Sequence, residues 1–278
     1  MKLIPGDALQ KLCDEFEGKC SLYVSIPATG EKFLYREHER INAASTIKIP
    51  LLALLLKDAE EGRLDLYEPL PMKKENFVRG SGVLKFLSPT LALSLYDYAV
   101  MMIVLSDNSA TNQVIDAVGM DRANAFFRES AWKETELNRK LFAPNAGDTP
   151  LGNYTSAADL GKILEGVLAG KLVSPAACEI FKRILACQQL GKFSKSLPKV
   201  HRPQNTLEPL ALPPEGTVLL VEKGGTLVGQ VSHDAAIMIL PDGRSAVLVM
   251  MTECKSGDAS LKAIQKVSRM IYDRMIGV

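Results

Sequence analysis

Hydrophobic and polar positions follow regular periods along the chain and predict most of its elements. Near the N-terminus, residues 6–17 (GDALQKLCDEFE) have helical periodicity, and CSLYVSIP and KFLYRE follow as two strands joined by the turn ATGE. Near the C-terminus, three apolar segments are typical of strands: TVLLVEK, SHDAAIMIL and SAVLVMMTE. The closing segment DASLKAIQKVSRMIYDRMI is predicted to be a long amphipathic helix.

The middle of the chain is predicted to be helical. Between about residues 90 and 190, apolar residues recur at i, i+3 and i+4 in LSLYDYAVMMIVL, TNQVIDAVG, RANAFFRES, SAADLGKILEGVL and SPAACEIFKRILACQQ. Residues 188–216 then contain five prolines, which predict an extended connector.

This order of elements predicts an α+β fold of the α/β sandwich type. We expect a five-stranded antiparallel sheet flanked by helices, with an all-helical lobe inserted in mid-chain. A single domain is expected over residues 1–278, with an α/β lobe at about 1–60 and 215–278 and a helical lobe at about 61–214. A cleft between sheet and lobe is the expected place for a binding site.

One charged residue interrupts the most apolar segment, AASTIKIPLLALLL, at residues 43–56. Lys48 lies three residues after Ser45, so the two share one face if Ser45 begins a helix. The hydroxyl would then lie at the positive end of the helix dipole, and a desolvated lysine can lose its proton and act as a base. The structural alternative is a lysine that snorkels to the surface. The same S-x-x-K pattern also begins at Ser130 and Ser196, where no long apolar helix follows.

Three other polar groups stand at the ends of predicted elements. They are Ser106, Asp107 and Asn108 in LSDNSATN, Lys223 in EKGGT, and Glu134 and Asn138 in KETELN. Each group also has a purely structural explanation: a helix cap and turn, a strand bulge, and a solvated surface carboxylate.

Taken together and in this order, these motifs resemble the serine β-lactamase and penicillin-binding-protein superfamily, and the class A β-lactamases most closely. The resemblance extends over nearly the whole chain. It includes EGRLDLYEPL, GSGVLKFL, LSLYDYAVMMIVLSDNSATNQVIDAVG and HDAAIMILPDGR.

The resemblance implies a serine acyl-enzyme mechanism. By position, Ser45 would be the nucleophile, Lys48 its proton partner, and Ser106 the group that passes the proton to the leaving nitrogen. ETELN resembles the family's E-x-E-L-N loop, which would make Glu134 the base for the deacylating water and Asn138 a residue that holds this water.

The same resemblance implies the substrate-binding residues. Asn108 would orient the substrate and the catalytic lysine, and Lys223 would supply positive charge for the substrate carboxylate. Gly225 would let the substrate backbone approach the strand edge, and the backbone N–H groups of Ser45 and Thr226 would form the oxyanion hole.

One departure from the family concerns substrate recognition. K-[ST]-G has become Lys223-Gly224-Gly225, so the hydroxyl that binds the substrate carboxylate in the family is missing, and Thr226 is expected to replace it only in part. Restoring a threonine at Gly224 is therefore expected to improve the use of penicillins.

Composition excludes several other classes. With a formal net charge of +1 and 23% charged residues, the chain carries no global field that would attract nucleic acid or an anionic membrane. The five cysteines have no metal-binding spacing, so neither a metal nor a cofactor is expected. The apolar runs are too short to span a membrane, and we expect a monomer that acts on a small β-lactam or a D-alanyl peptide-like substrate.

The N-terminal segment MKLIPGDALQKLCDEF lacks the long apolar core of a signal peptide. Two locations therefore stay open: the cytoplasm, or a secreted or periplasmic location for a trimmed sequence.

A Ser-His-Asp hydrolase is disfavoured, because G-x-S-x-G is missing and the three histidines have no triad-like setting. The sequence thus favours a serine hydrolase that opens β-lactam rings by acylation of Ser45 and water-mediated deacylation. The alternatives are a D-alanyl peptidase or esterase-like relative with weak β-lactamase activity, and a non-catalytic module that binds peptidoglycan.

Overall fold

The computed structural model describes residues 2–142 and 152–277. Its strands, in chain order, are β1 (Lys19–Ile26), β2 (Glu31–Tyr35), β3 (Ile41–Asn42), β4 (Pro69–Pro71), β5 (Ala92–Ser94), β6 (Tyr154–Thr155), β7 (Val200–His201), β8 (Val218–Leu227), β9 (Val231–Ile239) and β10 (Ser245–Glu253). Six of them form the main sheet in the order β2-β1-β10-β9-β8-β7. Two short antiparallel pairs, β3 with β6 and β4 with β5, lie outside it.

The predicted α+β fold is confirmed, with one strand more than expected. The five predicted strands pair antiparallel as expected. The sixth strand, β7, comes from the proline-rich connector and pairs in parallel with β8 through Val200↔Val218 and His201↔Leu219. A two-residue strand between prolines has no periodicity to reveal it, but its backbone covers an edge of the sheet that would otherwise be open.

Eight α-helices lie in the described part of the chain: α1 (Gly6–Asp14), α2 (Lys48–Glu60), α3 (Leu95–Val104), α4 (Asn108–Val118), α5 (Met120–Glu129), α6 (Ala157–Leu168), α7 (Pro175–Ala186) and α8 (Gly257–Ile276). Polar residues cap many of their N-termini. Ser94 forms a reciprocal capping box with Asp97 at the start of α3, and the Ser156 and Ser256 side chains accept N–H bonds at the starts of α6 and α8. These caps explain why the helices begin where the apolar period begins.

The main sheet is buried on both faces, and side chains alternate between two cores. Along β8, Leu219 and Val221 pack in the core formed with the mid-chain helices, whereas Val218 and Leu220 pack in the core formed with α1 and α8. The same alternation continues to the end of the strand and decides which way its functional residues point.

Helix α2 is buried among other helices. It contacts α3, α4, α5, α6 and α7, and nearly all its residues are buried, as expected for a helix that is apolar all round. Pro50 lies in its first turn, where a missing N–H costs no helical hydrogen bond. The sequence assigned residues up to about 60 to the α/β lobe, although the neighbours of α2 are mid-chain helices. The division into two lobes stays a prediction.

Among the residues described, no helix has both the length and the hydropathy of a membrane span.

Candidate active site

Ser45 lies in a tight turn that leads directly into α2. Residues Ala44–Ile47 form a 3-10 turn, and the Lys48 backbone N–H donates to the carbonyl oxygen of Ser45. Helix α2 therefore begins at Lys48, three residues later than the sequence suggested, but residues three apart in a 3-10 turn still share one face. Ala44 has φ of 45°, in the left-handed region that few non-glycine residues adopt. The backbone before Ser45 is thus sharply bent, which leaves the serine half-buried at the cleft.

The Lys48 side chain is fully buried and is held by three oxygen atoms. Its Nζ donates to the carbonyl oxygen of Ser106 at 2.8 Å, to the Ser106 Oγ at 3.1 Å and to the Asn108 Oδ1 at 3.1 Å. No carboxylate of the described chain forms an ion pair with it. Burial, and after it the nearby charge of Lys223, holds the pKa of Lys48 well below its ordinary value. This lysine does not snorkel to the surface; it is a buried amine that can accept a proton.

A second buried lysine approaches the same hydroxyl. The Lys223 Nζ donates to the Ser106 Oγ at 3.0 Å and to the carbonyl oxygen of Gly224 at 2.7 Å. Burial, together with the charge of Lys192, lowers the pKa of Lys223 to about 7. The Ser106 hydroxyl therefore lies between two amines, an arrangement through which a proton can be passed.

The turn between α3 and α4 presents these groups. Ser106 has φ of 54°, a left-handed conformation that a serine adopts only at an energetic cost. The Asp107 side chain caps α4 and also accepts the backbone N–H groups of residues 83 and 84, so it ties the neighbouring loop to the turn. The Asn108 Nδ2 donates to the carbonyl oxygen of Arg79 at 3.2 Å while its Oδ1 holds Lys48.

The end of β8 lies against the turn that carries Ser45. A Cβ on Gly225 would lie 3.0 Å from the backbone nitrogens of both Ser45 and Thr46, so any side chain at residue 225 would push the strand away from the turn. Lys223 and Gly225 thus face the helices and the turn, and Gly224 faces the opposite side.

Gly224 faces a lysine that the sequence analysis missed. A Cβ on Gly224 would lie 3.0 Å from the Lys192 Nζ and 3.3 Å from the carbonyl oxygen of Leu190. A side chain at residue 224 would therefore require this ammonium to move by a few tenths of an ångström, and the benefit expected from a threonine there stays a prediction. The sequence offered only a weak signal, a lysine between Gly191 and Phe193 at the start of the proline-rich connector.

Glu134 is not brought together with Ser45 and Lys48. Its Oε1 lies 3.3 Å from the His38 Nδ1, and its Oε2 accepts a hydrogen bond from the Ser156 Oγ at 3.3 Å. In the described chain, Glu134 lines neither of the cavities that contain Ser45.

The local chain direction explains this placement. In ETELN, Thr135 and Leu137 are buried, whereas Glu134, Glu136 and Asn138 lie on the other, partly exposed side. The Asn138 Nδ2 donates to the carbonyl oxygen at residue 152, 2.9 Å away. The roles assigned to Glu134 and Asn138 stay predictions, and the contacts of Glu134 do not support its role.

Two adjoining cavities open at Ser45. The larger, about 560 Å³, is lined by Ser45, Asn108 and Thr226, and also by residues that the sequence analysis missed: Arg79, Arg139, Leu141 and Phe142. The smaller, about 340 Å³, is lined by Ser45, Ser106, Lys192, Lys195, Gly224 and Thr226. A substrate bound across Ser45 would extend into both cavities.

The chain matches the model of the beta-lactamase enzyme family over residues 5–275. A beta-lactamase of Rhodobacter capsulatus is 27% identical over 176 residues, which cover 62% of this chain and 59% of that protein. The structure resembles that of a Sphaerobacter thermophilus beta-lactamase, with a TM-score of 0.85, 26% identity and coverage of 100% of this chain and 99% of the other.

It also resembles PBP-A, with a TM-score of 0.83, 26% identity and coverage of 98% and 96%. A mutant of PBP-A has been solved as an acyl-enzyme complex with penicillin G. The chain spans between 48% and 64% of the length of the curated relatives it matches.

Proposed function

The chain belongs to the beta-lactamase enzyme family, and on that premise we propose that it is a serine hydrolase that forms an acyl-enzyme on Ser45 with β-lactams. The Ser45 Oγ attacks the carbonyl carbon of the lactam, the C–N bond breaks, and an ester of Ser45 is formed. Water then hydrolyses this ester, which releases the ring-opened acid and restores the serine.

Protons are moved by Lys48, three residues after Ser45, and by Ser106, which lines the same cavity as Ser45. Lys48 takes the proton from the Ser45 hydroxyl, and Ser106 passes a proton to the leaving nitrogen. Asn108 orients the substrate and Lys48, and Lys223 polarises the Ser106 hydroxyl. The N–H groups of Ser45 and Thr226 stabilise the oxyanion, and Gly225 lets the substrate backbone lie close to β8.

The observation that carries this proposal is the contact of one hydroxyl with two buried amines. The Ser106 Oγ lies 3.1 Å from the Lys48 Nζ and 3.0 Å from the Lys223 Nζ. Burial makes the charged form of each amine costly, and neither forms an ion pair with a described carboxylate. Two uncompensated buried lysines are destabilising, and a proton relay beside a serine gives them a use.

A second candidate is a relative that is acylated but releases the acyl group slowly, as a D-alanyl peptidase or esterase with weak β-lactamase activity. The contacts of Glu134 with His38 and Ser156 favour it, because they hold this carboxylate away from the serine. In addition, the described residues that line the two cavities include no carboxylate. The two candidates share the acylation step and differ in the fate of the ester.

Intact-protein mass spectrometry after mixing with penicillin G tests the proposal. We expect an adduct with the full mass of the penicillin on the parent protein and none on Ser45→Ala. Ser130→Ala is the matched control, because Ser130 begins another S-x-x-K pattern, and it should be labelled like the parent. A transient adduct with accumulating product supports the hydrolase, and a lasting adduct supports the second candidate. Neither adduct nor product would contradict the proposed function and favour a non-catalytic, peptidoglycan-binding module.

A further inference from the structure

Two cysteine thiols are in contact between α1 and β1. Cys13 lies in the last turn of α1, Cys20 is the second residue of β1, and both are buried in the core formed with α1 and α8. The Cys20 Sγ donates to the carbonyl oxygen of Cys13 at 3.5 Å, and the Cys13 thiol in turn donates to the Cys20 sulfur. Thiols that are already in contact can form a disulfide with little movement of the backbone.

The turn from α1 to β1 brings these two cysteines together. The Phe16 backbone N–H donates to the carbonyl oxygen of Cys13 at 3.4 Å, so the chain bends back directly after the helix. Gly18 has φ of 132°, and a Cβ there would lie 2.5 Å from the carbonyl oxygen of Glu253. Only glycine permits so close a passage along β10. Helix, turn and sheet therefore hold Cys13 and Cys20 opposite each other.

The thiols of the other three cysteines contact backbone groups instead. Cys178 and Cys187 are buried, and the Sγ of each is paired with a backbone carbonyl oxygen. The Sγ of Cys254, which is partly exposed, accepts the backbone N–H of Ser256. These three cysteines serve as internal controls for the reactivity of the pair.

The two thiols of the pair differ in acidity. The hydrogen bond from Cys13 lowers the pKa of Cys20. The nearby charge of Arg36 acts in the same direction, whereas burial and the Asp14 carboxylate oppose it. The hydrogen bond to Cys20 and burial raise the pKa of Cys13. Because the thiolate is the reactive form of a cysteine, Cys20 is the nucleophile of the pair.

We propose that Cys13 and Cys20 form a redox-modification site, at which a hydroperoxide converts the two thiols into a disulfide between α1 and β1. The disulfide would fasten the helix to the strand, and a thiol reductant would release it. In the described chain, neither cysteine lines a cavity at Ser45. The proposal is therefore independent of the acyl transfer proposed above.

The reaction removes two electrons from the two sulfur atoms. The Cys20 thiolate attacks one peroxide oxygen, the O–O bond breaks, and a sulfenic acid forms on Cys20. The released alkoxide takes up a proton and leaves as an alcohol, or as water when the oxidant is hydrogen peroxide. The Cys13 sulfur then attacks the Cys20 sulfur, the S–S bond forms, and the S–O bond breaks. The hydroxide takes the proton of Cys13 and leaves as water.

Helix α1 provides the access that two buried thiols require. It has nine residues, and no side chain caps its N-terminus at Pro5. A helix this short and uncapped opens more readily than the sheet that it covers. Once formed, the disulfide closes residues 13–20 into a loop, which restricts the unfolded chain and should stabilise the fold.

The first experiment uses the parent protein and needs no variant. The protein is treated with hydrogen peroxide, its remaining thiols are blocked with N-ethylmaleimide in urea, and it is digested with trypsin without reduction. Trypsin cleaves after the lysines on either side and so separates Cys13, in residues 12–19, from Cys20, in residues 20–32. Only a disulfide keeps these two peptides together in the mass spectrum.

We expect the linked peptides after peroxide and their separation after dithiothreitol. Cys178 and Cys187 should carry maleimide throughout, because each contacts a carbonyl oxygen. Maleimide on both Cys13 and Cys20 after oxidation would overturn the proposal, and so would a link from either of them to Cys254.

The second experiment tests the order of attack by trapping the sulfenic acid with dimedone. Serine is the replacement because it retains a hydrogen-bond donor. In Cys13→Ser, dimedone should label Cys20, since no second thiol displaces the hydroxide. In Cys20→Ser, Cys13 should stay unlabelled. Equal labelling in the two variants, or label on Cys13 alone, would refute the assignment of Cys20 as the nucleophile.

The third experiment measures whether the disulfide fits the fold. The peroxide-treated parent should melt about 5 °C above the reduced parent. Cys254→Ser is the matched control and should show the same rise. Cys20→Ser, treated in the same way, accounts for oxidation elsewhere and should show no rise. A disulfide that lowers the melting temperature of the parent would contradict the proposal and leave Cys13 and Cys20 as small apolar side chains of the core.

Discussion

The Lys48 amine and the Ser106 hydroxyl are in direct contact, although 58 residues separate them in the chain. The Lys48 Nζ lies 3.1 Å from the Oγ of Ser106 and 2.8 Å from its carbonyl oxygen. Lys223 reaches the same hydroxyl from β8 at 3.0 Å. Ser106, whose backbone is in the left-handed region, thus connects helix α2 to the sheet. It lines the same cavity as Ser45, which we propose as the nucleophile.

Replacing Lys48 by methionine should slow acylation while the fold is kept. Methionine has a similar volume and no charge, so the variant loses the group that accepts the proton of Ser45. General-base catalysis contributes about 10²–10⁴-fold in rate, and we expect the acylation rate to fall by that factor. The melting temperature should stay equal or rise, because the variant no longer buries a lysine amine that has no carboxylate partner among the described residues. Stopped-flow acylation and thermal denaturation measure the two effects.

The matched control is Lys133→Met, which removes the exposed lysine of another S-x-x-K pattern and should leave both quantities unchanged. Normal acylation combined with a lower melting temperature in Lys48→Met would show that Lys48 is structural.

Replacing Glu134 by glutamine should have little effect on deacylation. The carboxylate is held by His38 and Ser156 and lines neither cavity at Ser45 among the described residues. We expect a deacylation rate within about twofold of the parent, since glutamine keeps the size of the side chain and Glu134 contacts His38 and Ser156 rather than a cavity at Ser45. The decay of the penicillin adduct in time-resolved mass spectrometry gives this rate. A trapped acyl-enzyme in Glu134→Gln would instead assign the deacylating base to Glu134, as the family resemblance implies.

Introducing threonine at Gly224 should impair acylation by penicillins, contrary to what the motif alone favours. The new Cβ would lie 3.0 Å from the Lys192 Nζ, so the ammonium has to move by a few tenths of an ångström. This shift disturbs the hydrogen bonds that the Lys192 ammonium donates to the carbonyl oxygens of Gly225 and His233 beside the cavity. The loss of one such bond predicts a decrease of about tenfold in kcat/KM. Steady-state or single-turnover kinetics with penicillin G measure it.

The double variant Gly224→Thr/Lys192→Ala tests the coupling between the two residues. Removing the lysine side chain makes room for the hydroxyl, so the double variant should perform better than the sum of the single effects. Strict additivity, or a gain from Gly224→Thr alone, would show that the two positions do not compete for the same space.

Acidification should weaken the fold through His233. This buried ring accepts the backbone N–H of Thr252 at Nδ1, 3.0 Å away, and its Nε2 donates to the carbonyl oxygen of Asn42 at 2.8 Å. Burial lowers the pKa of His233 from 6.5 to about 4. A proton on Nδ1 would place an N–H donor opposite the backbone N–H of Thr252, and this hydrogen bond would be lost. The ring lies between the sheet and the segment that leads to Ser45.

Protonation of His233 is linked to folding, because its pKa differs between the folded and the unfolded chain. Between about pH 6.5 and pH 4 the unfolded chain binds the proton and the folded chain does not, so the free energy of unfolding falls as the pH falls through this range. The loss amounts to about 3 kcal/mol at most for this one group. Urea unfolding at a series of pH values should show a smaller decrease in His233→Gln than in the parent. His201→Gln, at the partly exposed strand β7, should retain the full decrease, and equal decreases in all three proteins would contradict the assignment.

The sequence by itself determined the elements and the chemistry of the cleft. Helical and alternating periods predicted both terminal strand groups and the mid-chain helices, because burial of one face imposes a local period on the chain. The position of Lys48 within the apolar helix predicted a buried amine with a function or a partner, because an unpaired charge in such a segment is energetically costly. The order of the motifs then indicated the family.

Only the tertiary structure decided which groups meet. The Ser106 hydroxyl lies between lysines that are 58 and 117 residues away, and no local period encodes such a contact. In ETELN, buried and partly exposed residues alternate, and Glu134 contacts His38, although its motif resembles that of the family. Gly224 lies beside Lys192 because strand β8 directs neighbouring residues to opposite faces, and the segment that carries Lys192 packs against the face of Gly224. Periodicity reports which face of an element is buried, whereas the packing of distant segments determines what that face touches.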